Sequence, residues 1–212
     1  MRVFVAGATG RVAEQLIKQL IERGHTVRAG ARKTDKVIQL VGVEPVEMDL
    51  HSTPEELASI IQGSDVVYFT AGSRGKDLLQ TDAFGAVKLM QAAEMTGVSR
   101  FIMLSSIFAT EPEKWLDPHL AKITDYNIAK FFSDQWLMNQ TRLDYTIVQP
   151  GNLVEATSGS GKIAVGVSHS QPNSIPNVAQ VLAEVLAFPN TVGKIIQMSD
   201  GETPIREALE NL

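Results

Sequence analysis

Cysteine is absent from this chain, and aromatic residues make up only 6% of its 212 residues. Without cysteine the protein can form no disulfide, no thiolate metal site and no cysteine nucleophile. No apolar run approaches the roughly 20 residues of a membrane-spanning helix, and the first residues lack the basic and apolar regions of a signal peptide. These absences predict a soluble, cytoplasmic protein that has no membrane partner.

Basic residues are fewer than acidic ones: the chain has 19 Lys and Arg and 24 Asp and Glu, which give a net charge of −5. No basic run offsets this balance, which argues against a nucleic-acid partner. The four histidines are scattered and none has a second ligand at helical spacing, so no metal site is predicted. The 44% of hydrophobic residues are enough to bury the core of one domain.

Apolar runs rich in strand-forming residues alternate along the chain with segments of helical periodicity. The runs predict strands over residues 2–6, 26–31, 44–47, 66–71, 101–105, 145–149 and 195–198. The periodic segments predict helices over residues 11–23, 34–40, 54–61, 81–95, 124–141, 178–187 and 204–211. This alternation is typical of an α/β fold with a doubly wound parallel sheet that carries helices on both faces. Residues 151–176, rich in Gly, Ser, Asn and Pro, are expected to form a surface excursion.

The first twelve residues, MRVFVAGATGRV, predict a strand, a glycine turn and the start of a helix. Gly7 permits a sharp turn, Gly10 lets the backbone approach a pyrophosphate, and the small Ala13 lets the helix pack close to the sheet. A helix N-terminus also offers free N–H groups to a phosphate. A tight turn that binds no ligand would have the same glycine spacing. The position of the present turn at the first strand–helix junction nevertheless favours a dinucleotide site. The expected cofactor contacts of this turn are Gly7, Thr9, Gly10, Arg11 and Val12.

The end of the second predicted strand carries two cations and no acid. An Asp or Glu there would bind the ribose 2′-hydroxyl of NAD and repel a 2′-phosphate. Arg32 and Lys33 could instead clamp that phosphate, so we expect NADP in preference to NAD, although a solvated basic turn would look the same. After the third strand, Asp49, followed by Leu50, is placed to accept from the adenine amino group or, equally, to start the next helix with a negative charge.

Six motifs distributed along the chain carry a family resemblance: GATGRV, MDL, FTAGSRGKD, RFIMLSS, YNIAK and DYTIVQPGNL. Together they resemble the short-chain dehydrogenase/reductase superfamily. Within it the chain is most similar to the small atypical NAD(P)-binding group that includes flavin/biliverdin reductase-like and NmrA-like proteins. The resemblance covers nearly the whole chain and implies a Rossmann fold and an NAD(P) cofactor, without specifying a substrate.

Tyr126 and Lys130 lie four residues apart on a predicted helix, so their side chains share one face. A nearby ammonium stabilises a phenolate and lowers its pKa, which would let Tyr126 exchange a proton with a substrate. The resemblance implies this catalytic role for Tyr126, and it implies that Lys130 also holds the nicotinamide ribose. Ser106 is the third catalytic candidate, at the end of the fifth strand. Alignment with extended relatives puts Ile107 at the catalytic serine's position, so a structural role for Ser106 is an even alternative.

The resemblance implies further cofactor contacts from two other strand ends. Beneath the ribose and nicotinamide we expect the small residues after the fourth strand, Thr70, Ala71 and Gly72. Beside the nicotinamide amide we expect the segment that ends the sixth strand, Pro150, Gly151, Asn152 and Leu153. In the loop that follows Gly72, Arg74 and Lys76 could cover the phosphates, although solvated surface cations are the simpler interpretation.

These residues predict an oxidoreductase that transfers hydride from NADPH to a small-molecule acceptor such as a flavin, quinone, tetrapyrrole or carbonyl compound. The NmrA-like resemblance leaves open an NADP-sensing regulatory protein without turnover. A sugar-nucleotide epimerase or dehydratase is a weaker third possibility, because only about 60 residues follow Gly151. We expect one domain over residues 1–212, with a small substrate-side region at about 151–212. The oligomeric state is not predicted.

Overall fold

The computed structural model describes all of residues 1–212. Its strands are β1 (Arg2–Ala6), β2 (Thr26–Ala31), β3 (Val43–Glu47), β4 (Val66–Phe69), β5 (Arg100–Leu104), β6 (Asp144–Pro150), β7 (Asn152–Val154), β8 (Lys162–Val165), β9 (Pro172–Ser174), β10 (Lys194–Asp200) and β11 (Thr203–Pro204). Its α-helices are α1 (Arg11–Glu22), α2 (Pro54–Ile61), α3 (Phe84–Thr96), α4 (Thr124–Gln140), α5 (Ile175–Glu184) and α6 (Ile205–Glu210). None of these helices has both the length and the apolar composition needed to cross a membrane.

Nine strands form one sheet in the order β11-β8-β10-β6-β5-β4-β1-β2-β3. The seven strands from β10 to β3 run parallel to one another, and β8 pairs antiparallel with both β10 and β11. The strand order reverses between β1 and β4, and this is the point at which open α/β sheets bind their ligands. The chain is therefore a single Rossmann-fold domain, which confirms the predicted doubly wound parallel sheet.

The two faces of β1 explain why helices cover both sides of the sheet. Successive side chains of a strand point to opposite faces. Val3 and Val5 pack in the apolar cluster that contains α1 and α5, whereas Phe4 and Ala6 pack in the cluster that contains α2 and α3. All four side chains are fully buried. The sheet therefore holds an apolar layer on each face.

Two sequence predictions of local structure were wrong. The helix predicted over residues 34–40 is only a short 3-10 turn, Thr34–Lys36, because that turn buries no side chain against the sheet. The predicted surface excursion over residues 151–176 contains β8, which pairs with β10 in the main sheet. Ile163 of β8 is fully buried in the same core cluster as α1 and α5, so the short apolar stretch here is a sheet strand.

Candidate active site

A cavity of about 460 Å³ opens at the carboxyl ends of the parallel strands, beside the point where the strand order reverses. Its wall brings together residues from the ends of β1, β2 and β4, from the start of α1 and from α4. The sequence-predicted residues that line it are Gly7, Thr9, Gly10, Arg11, Val12, Arg32, Asp49, Leu50, Thr70, Ala71, Gly72, Leu153 and Tyr126.

Gly7 sits at the tightest point of this wall. Its φ of +85° is in the left-handed region, and a Cβ at this position would lie 2.5 Å from the Cα of Ala71. The N–H groups of Gly7 and Ala8 both donate to the carbonyl of Gly30 at 3.0 Å, which joins the turn to β2. Only glycine allows the β1 turn to approach both neighbouring strand ends this closely.

The start of α1 has the features of an anion-binding site. Gly10 is its N-cap residue and supplies no side-chain hydrogen bond to the helix. The N–H groups of the first turn have no partners within the helix, and they carry the positive end of its dipole. A phosphate could approach them closely, because the N-cap residue has no side chain.

Basic side chains surround the mouth of the cavity. Its wall contains Arg11, Arg32, Arg74 and Lys76, and Asp49 is the only acidic residue that lines it. Arg11 is paired with Glu155 at 2.7 Å, whereas the other three cations form no ion pair. Such a mouth, on a chain of net charge −5, suits a ligand with several negative charges. Lys33 is exposed and does not line the cavity.

The segment after β3 closes one side of the cavity. Oδ1 of Asp49 accepts from the backbone N–H of His51 at 3.0 Å, and Nε2 of His51 lies 2.6 Å from Oδ2 of Asp77. The hydroxyl of Thr81 donates to the same oxygen of Asp77 at 2.6 Å. Hydrogen bonds from Thr81 and His51 hold the pKa of Asp77 below its usual value. Thr53, and not Asp49, caps the N-terminus of α2.

Tyr126 and Lys130 lie one turn apart on α4, as their spacing predicts. The Lys130 side chain is buried behind the cavity wall, where Nζ donates to the carbonyl of Leu104 at 3.0 Å and lies 5.9 Å from the centre of the Tyr126 ring. Burial lowers the pKa of Lys130, and the charges of Asp82 and Asp134 act in the opposite direction.

The expected lowering of the Tyr126 pKa was wrong. Burial raises the pKa of Tyr126 above its ordinary value, and the charges of Asp82 and Asp134 raise it further. The ammonium of Lys130 is directed to a backbone carbonyl and does not outweigh these effects. Near neutral pH, Tyr126 is therefore a neutral phenol, which can donate a proton.

The two buried carboxylates beside this pair were not found by sequence reasoning. Both oxygens of Asp82 accept from the backbone N–H of Ser73, at 3.0 and 3.2 Å, and so fix the loop after β4. Oδ2 of Asp134 accepts from the hydroxyl of Ser105 at 2.6 Å and from Nε2 of Gln149 at 3.1 Å. Burial raises the pKa of Asp134 to about 6.

A sequence signal existed for only one of these two carboxylates. Asp134 continues the helical spacing of Tyr126 and Lys130, so its position on that face of α4 could have been noticed. Asp82 lies on a π-helical turn, Leu78–Ala83, and the helix had been predicted to begin at residue 81. The irregular turn disrupts the ordinary helical period, so the position of the Asp82 side chain could not be predicted from the spacing of residues.

The structure does not bring Ser106 to the cavity. Its hydroxyl donates to Oδ1 of Asn127 at 3.1 Å and is buried, which favours the structural alternative. Pro150, at the end of β6, and the following Gly151 and Asn152 also lie outside the cavity wall, which Leu153 alone of these four residues reaches. Gly151 is needed for packing, because a Cβ there would overlap the carbonyl oxygen of Gln171.

Residues 7–189 match the sequence model of a family described as NAD(P)H-binding, from the glycine turn to beyond α5. The chain belongs to the NAD(P)H-binding family. The matched range includes every residue that lines the cavity.

Two solved structures and one further relative match this NAD(P)H-binding protein along its length. The oxidoreductase ylbE from Lactococcus lactis is 45% identical, with a TM-score of 0.97, over 100% of this chain and 96% of that one. A protein from Bacillus halodurans, described as an NAD-dependent epimerase/dehydratase, is 32% identical, with a TM-score of 0.88 and both chains fully covered. YhfK from Bacillus subtilis, named an uncharacterized sugar epimerase, is 33% identical over the full length of both chains. The relatives are thus oxidoreductase-like and epimerase-like proteins.

Proposed function

We propose that this protein is an NADPH-dependent reductase that transfers hydride to a small-molecule acceptor beside Tyr126. The observation that carries the proposal is the composition of one cavity wall. It contains a glycine-lined helix N-terminus, three cations without ion pairs and the neutral phenol of Tyr126. The oxidoreductase named among the relatives supports the same reaction class.

The residues of the cavity fit a dinucleotide that carries an additional phosphate. The turn from Gly7 to Val12 would hold the pyrophosphate, and Arg32, assisted by the neighbouring Lys33, would hold the 2′-phosphate. Asp49 has one carboxylate oxygen free of side-chain and backbone partners, which could accept from the adenine amino group. When bound, NADPH supplies the hydride.

The proton for the reduction would come from Tyr126. Tyr126 is a neutral phenol near pH 7, since its pKa lies above the ordinary value, and it can donate to the acceptor oxygen or nitrogen that gains negative charge. The resulting phenolate would lie on the same face of α4 as Lys130, whose Nζ is 5.9 Å from the centre of the Tyr126 ring. Ser106 is not required in this arrangement, because its hydroxyl already donates to Asn127.

The preference for NADP is tested by thermal stabilisation with equal concentrations of NADPH and NADH. We expect NADPH to raise the melting temperature of the wild type more than NADH. Arg32→Ser should weaken NADPH binding about tenfold, since it removes a charge-assisted hydrogen bond, and should affect NADH little. Arg142→Ser, which removes an exposed cation distant from the cavity, is the control. Equal stabilisation of the wild type by the two cofactors would refute the preference.

The role of Tyr126 is tested by following NADPH consumption with flavin, quinone, biliverdin and aldehyde acceptors. For a carbonyl acceptor, Tyr126→Phe should lower kcat at least about 100-fold, because the variant loses the proton donor. Tyr145→Phe, a change outside the cavity wall, should leave kcat unchanged.

Three other results would each contradict a part of this proposal. Equal turnover by Tyr126→Phe and the wild type would remove the tyrosine from the mechanism. Tight NADPH binding without turnover of any acceptor would favour the regulatory, NADP-sensing alternative. Epimerisation of a sugar nucleotide without net cofactor consumption would favour the activity named for YhfK.

A further inference from the structure

A second cavity, of about 610 Å³, adjoins the first on the far side of Tyr126. Its wall comes from the loop after β4 and from the segment that leads into α4. It shares Arg74 and Tyr126 with the first cavity, so a molecule that fills it lies directly beside the phenol. The lining residues are Arg74, Gly75, Leu78, Ala121, Lys122, Ile123, Thr124, Asp125 and Tyr126.

The charges in this wall do not neutralise one another through contacts. Arg74 and Lys122 form no ion pair, and neither side chain donates a hydrogen bond within the protein. Asp125 is the only acid, and it lies in the first turn of α4, where the helix dipole stabilises a negative charge. The position of Asp125 thus has a local explanation, whereas the two cations have no partner within the chain.

The backbone of Arg74 is itself unusual. Its φ of +55° is in the left-handed region, which only one other non-glycine residue of the chain adopts. A glycine or asparagine would adopt this conformation at lower cost than an arginine. Strained positions of this kind concentrate at ligand-binding loops, and Arg74 lines both cavities.

Apolar surface is available next to these cations. Leu78 is half-buried in the wall, and Ile123, immediately after Lys122, is an exposed large hydrophobic residue. The cavity therefore combines an apolar strip with two free positive charges. A complementary ligand has an apolar body and at least one anionic group.

We propose that the acceptor is an amphipathic anion. Its carboxylate or phosphate binds between Arg74 and Lys122, its apolar body lies on Leu78 and Ile123, and its reducible group lies at Tyr126. The inference rests on the proposed reductase function, because it concerns the acceptor of the same reaction. In that reaction the acceptor gains a hydride from NADPH and one proton, and NADP⁺ is released.

Two matched pairs of acceptors test the proposal by turnover. FMN and riboflavin share one isoalloxazine ring and differ in a phosphate, whereas 4-carboxybenzaldehyde and methyl 4-formylbenzoate differ in a carboxylate. We expect kcat/KM to be about fivefold or more higher for the anionic member of at least one pair, as for one partly exposed charge interaction. The pair that shows the preference identifies the anion as phosphate or carboxylate.

Lys122→Gln is the decisive variant, because Lys122 lines only the second cavity, whereas Arg74 also reaches the first. It should reduce the ratio of the two kcat/KM values markedly, mainly through a higher KM for the anionic acceptor, with Arg74 retaining part of the preference. Lys194→Gln, which removes an exposed cation far from both cavities, should leave the ratio and the basal activity unchanged. Equal kcat/KM values within both pairs, unaffected by Lys122→Gln, would overturn the proposal and leave the reductase function standing.

A binding measurement distinguishes the absence of an anion site from the absence of reductase activity. Flavin fluorescence is titrated against the protein saturated with NADP⁺, so that no reduction occurs and the first cavity is filled. If FMN binds more tightly than riboflavin and Lys122→Gln reduces this difference, the anion site is supported even when no acceptor is reduced. Such binding without any turnover would refute the reductase function but not the anion site. Equal binding of the two flavins, together with equal kcat/KM values for the aldehyde pair, would refute the anion site.

Discussion

Gly7 is constrained in two independent ways at the scale of a single residue. Its left-handed φ of +85° disfavours any side chain, and the Cα of Ala71 occupies the place where a Cβ would lie. Gly24 has a similar φ of +78°, yet it has open space around it. Gly24 is therefore constrained only by its backbone conformation, whereas Gly7 is constrained also by the close approach of Ala71.

We expect Gly7→Ala to lower the free energy of unfolding by about 3 kcal/mol, which combines left-handed strain with overpacking. Gly24→Ala should lower it by about 1 kcal/mol, from strain alone. Gly7→Ala should also abolish NADPH binding, because the turn must shift away from Ala71. Urea unfolding and NADPH titration check both variants, and equal effects of the two changes would show that the contact with Ala71 is unimportant.

Helix α2 shows how far sequence signals specify one element. Thr53 and Pro54 predict its start, and the structure places a capping box there: the Thr53 hydroxyl accepts from the N–H of Glu56, and the Glu56 side chain accepts from the N–H of Thr53. The helix therefore begins where its local chemistry predicts. The predicted helix over residues 34–40 lacks such an N-terminus: Lys33 makes no side-chain cap hydrogen bond, and the 3-10 turn Thr34–Lys36 buries no side chain.

At this scale we expect Thr53→Ala to lower the free energy of unfolding by about 1 kcal/mol, because it removes one half of the capping box. Ser59→Ala, an exposed change in the interior of the same helix, should be neutral or slightly stabilising. Denaturant unfolding of both variants measures the difference. Indistinguishable stabilities would mean that the cap contributes nothing beyond the propensity of the helix.

The molecule as a whole assembles its site from distant segments. Gly7, Arg32, Thr70 and Tyr126 come from four separate parts of the chain, and the reversal of strand order between β1 and β4 brings them to one cavity. The same packing encloses Asp134, whose side chain is fully buried between β5, β6 and α4. Burial raises its pKa from an ordinary 3.8 to about 6, although Ser105, Lys130 and Gln149 oppose the rise.

This burial links folding to pH. Between about pH 4 and pH 6 the unfolded chain ionises Asp134 while the folded protein keeps it protonated, so this group's contribution to stability falls as pH rises through that window. Relative to the wild type, Asp134→Asn should therefore gain on the order of 2 kcal/mol in unfolding free energy between pH 4 and pH 7. Urea unfolding across this range measures the gain, with the exposed Asp35→Asn as control. Parallel curves for the wild type and Asp134→Asn would contradict the linkage.

Features that depend on neighbouring residues follow from the amino-acid sequence alone. The bounds of β1 and β2, the glycine turn and the start of α2 follow from adjacent residues that set backbone conformation locally. The placement of Tyr126 and Lys130 on one face follows from helical spacing alone. These local features, repeated as alternating strands and helices, were sufficient to predict the Rossmann sheet.

The chemistry of the site depends on contacts that exist only in the folded protein. The direction of the pKa shift of Tyr126 depends on burial and on the charges of Asp82 and Asp134, which come from two different elements. In the folded protein the hydroxyl of Ser106 donates to Asn127. Lys122 lines the second cavity, next to Tyr126. Desolvation and charge interactions depend on which groups pack together in space, and a local sequence pattern carries no information about those distances.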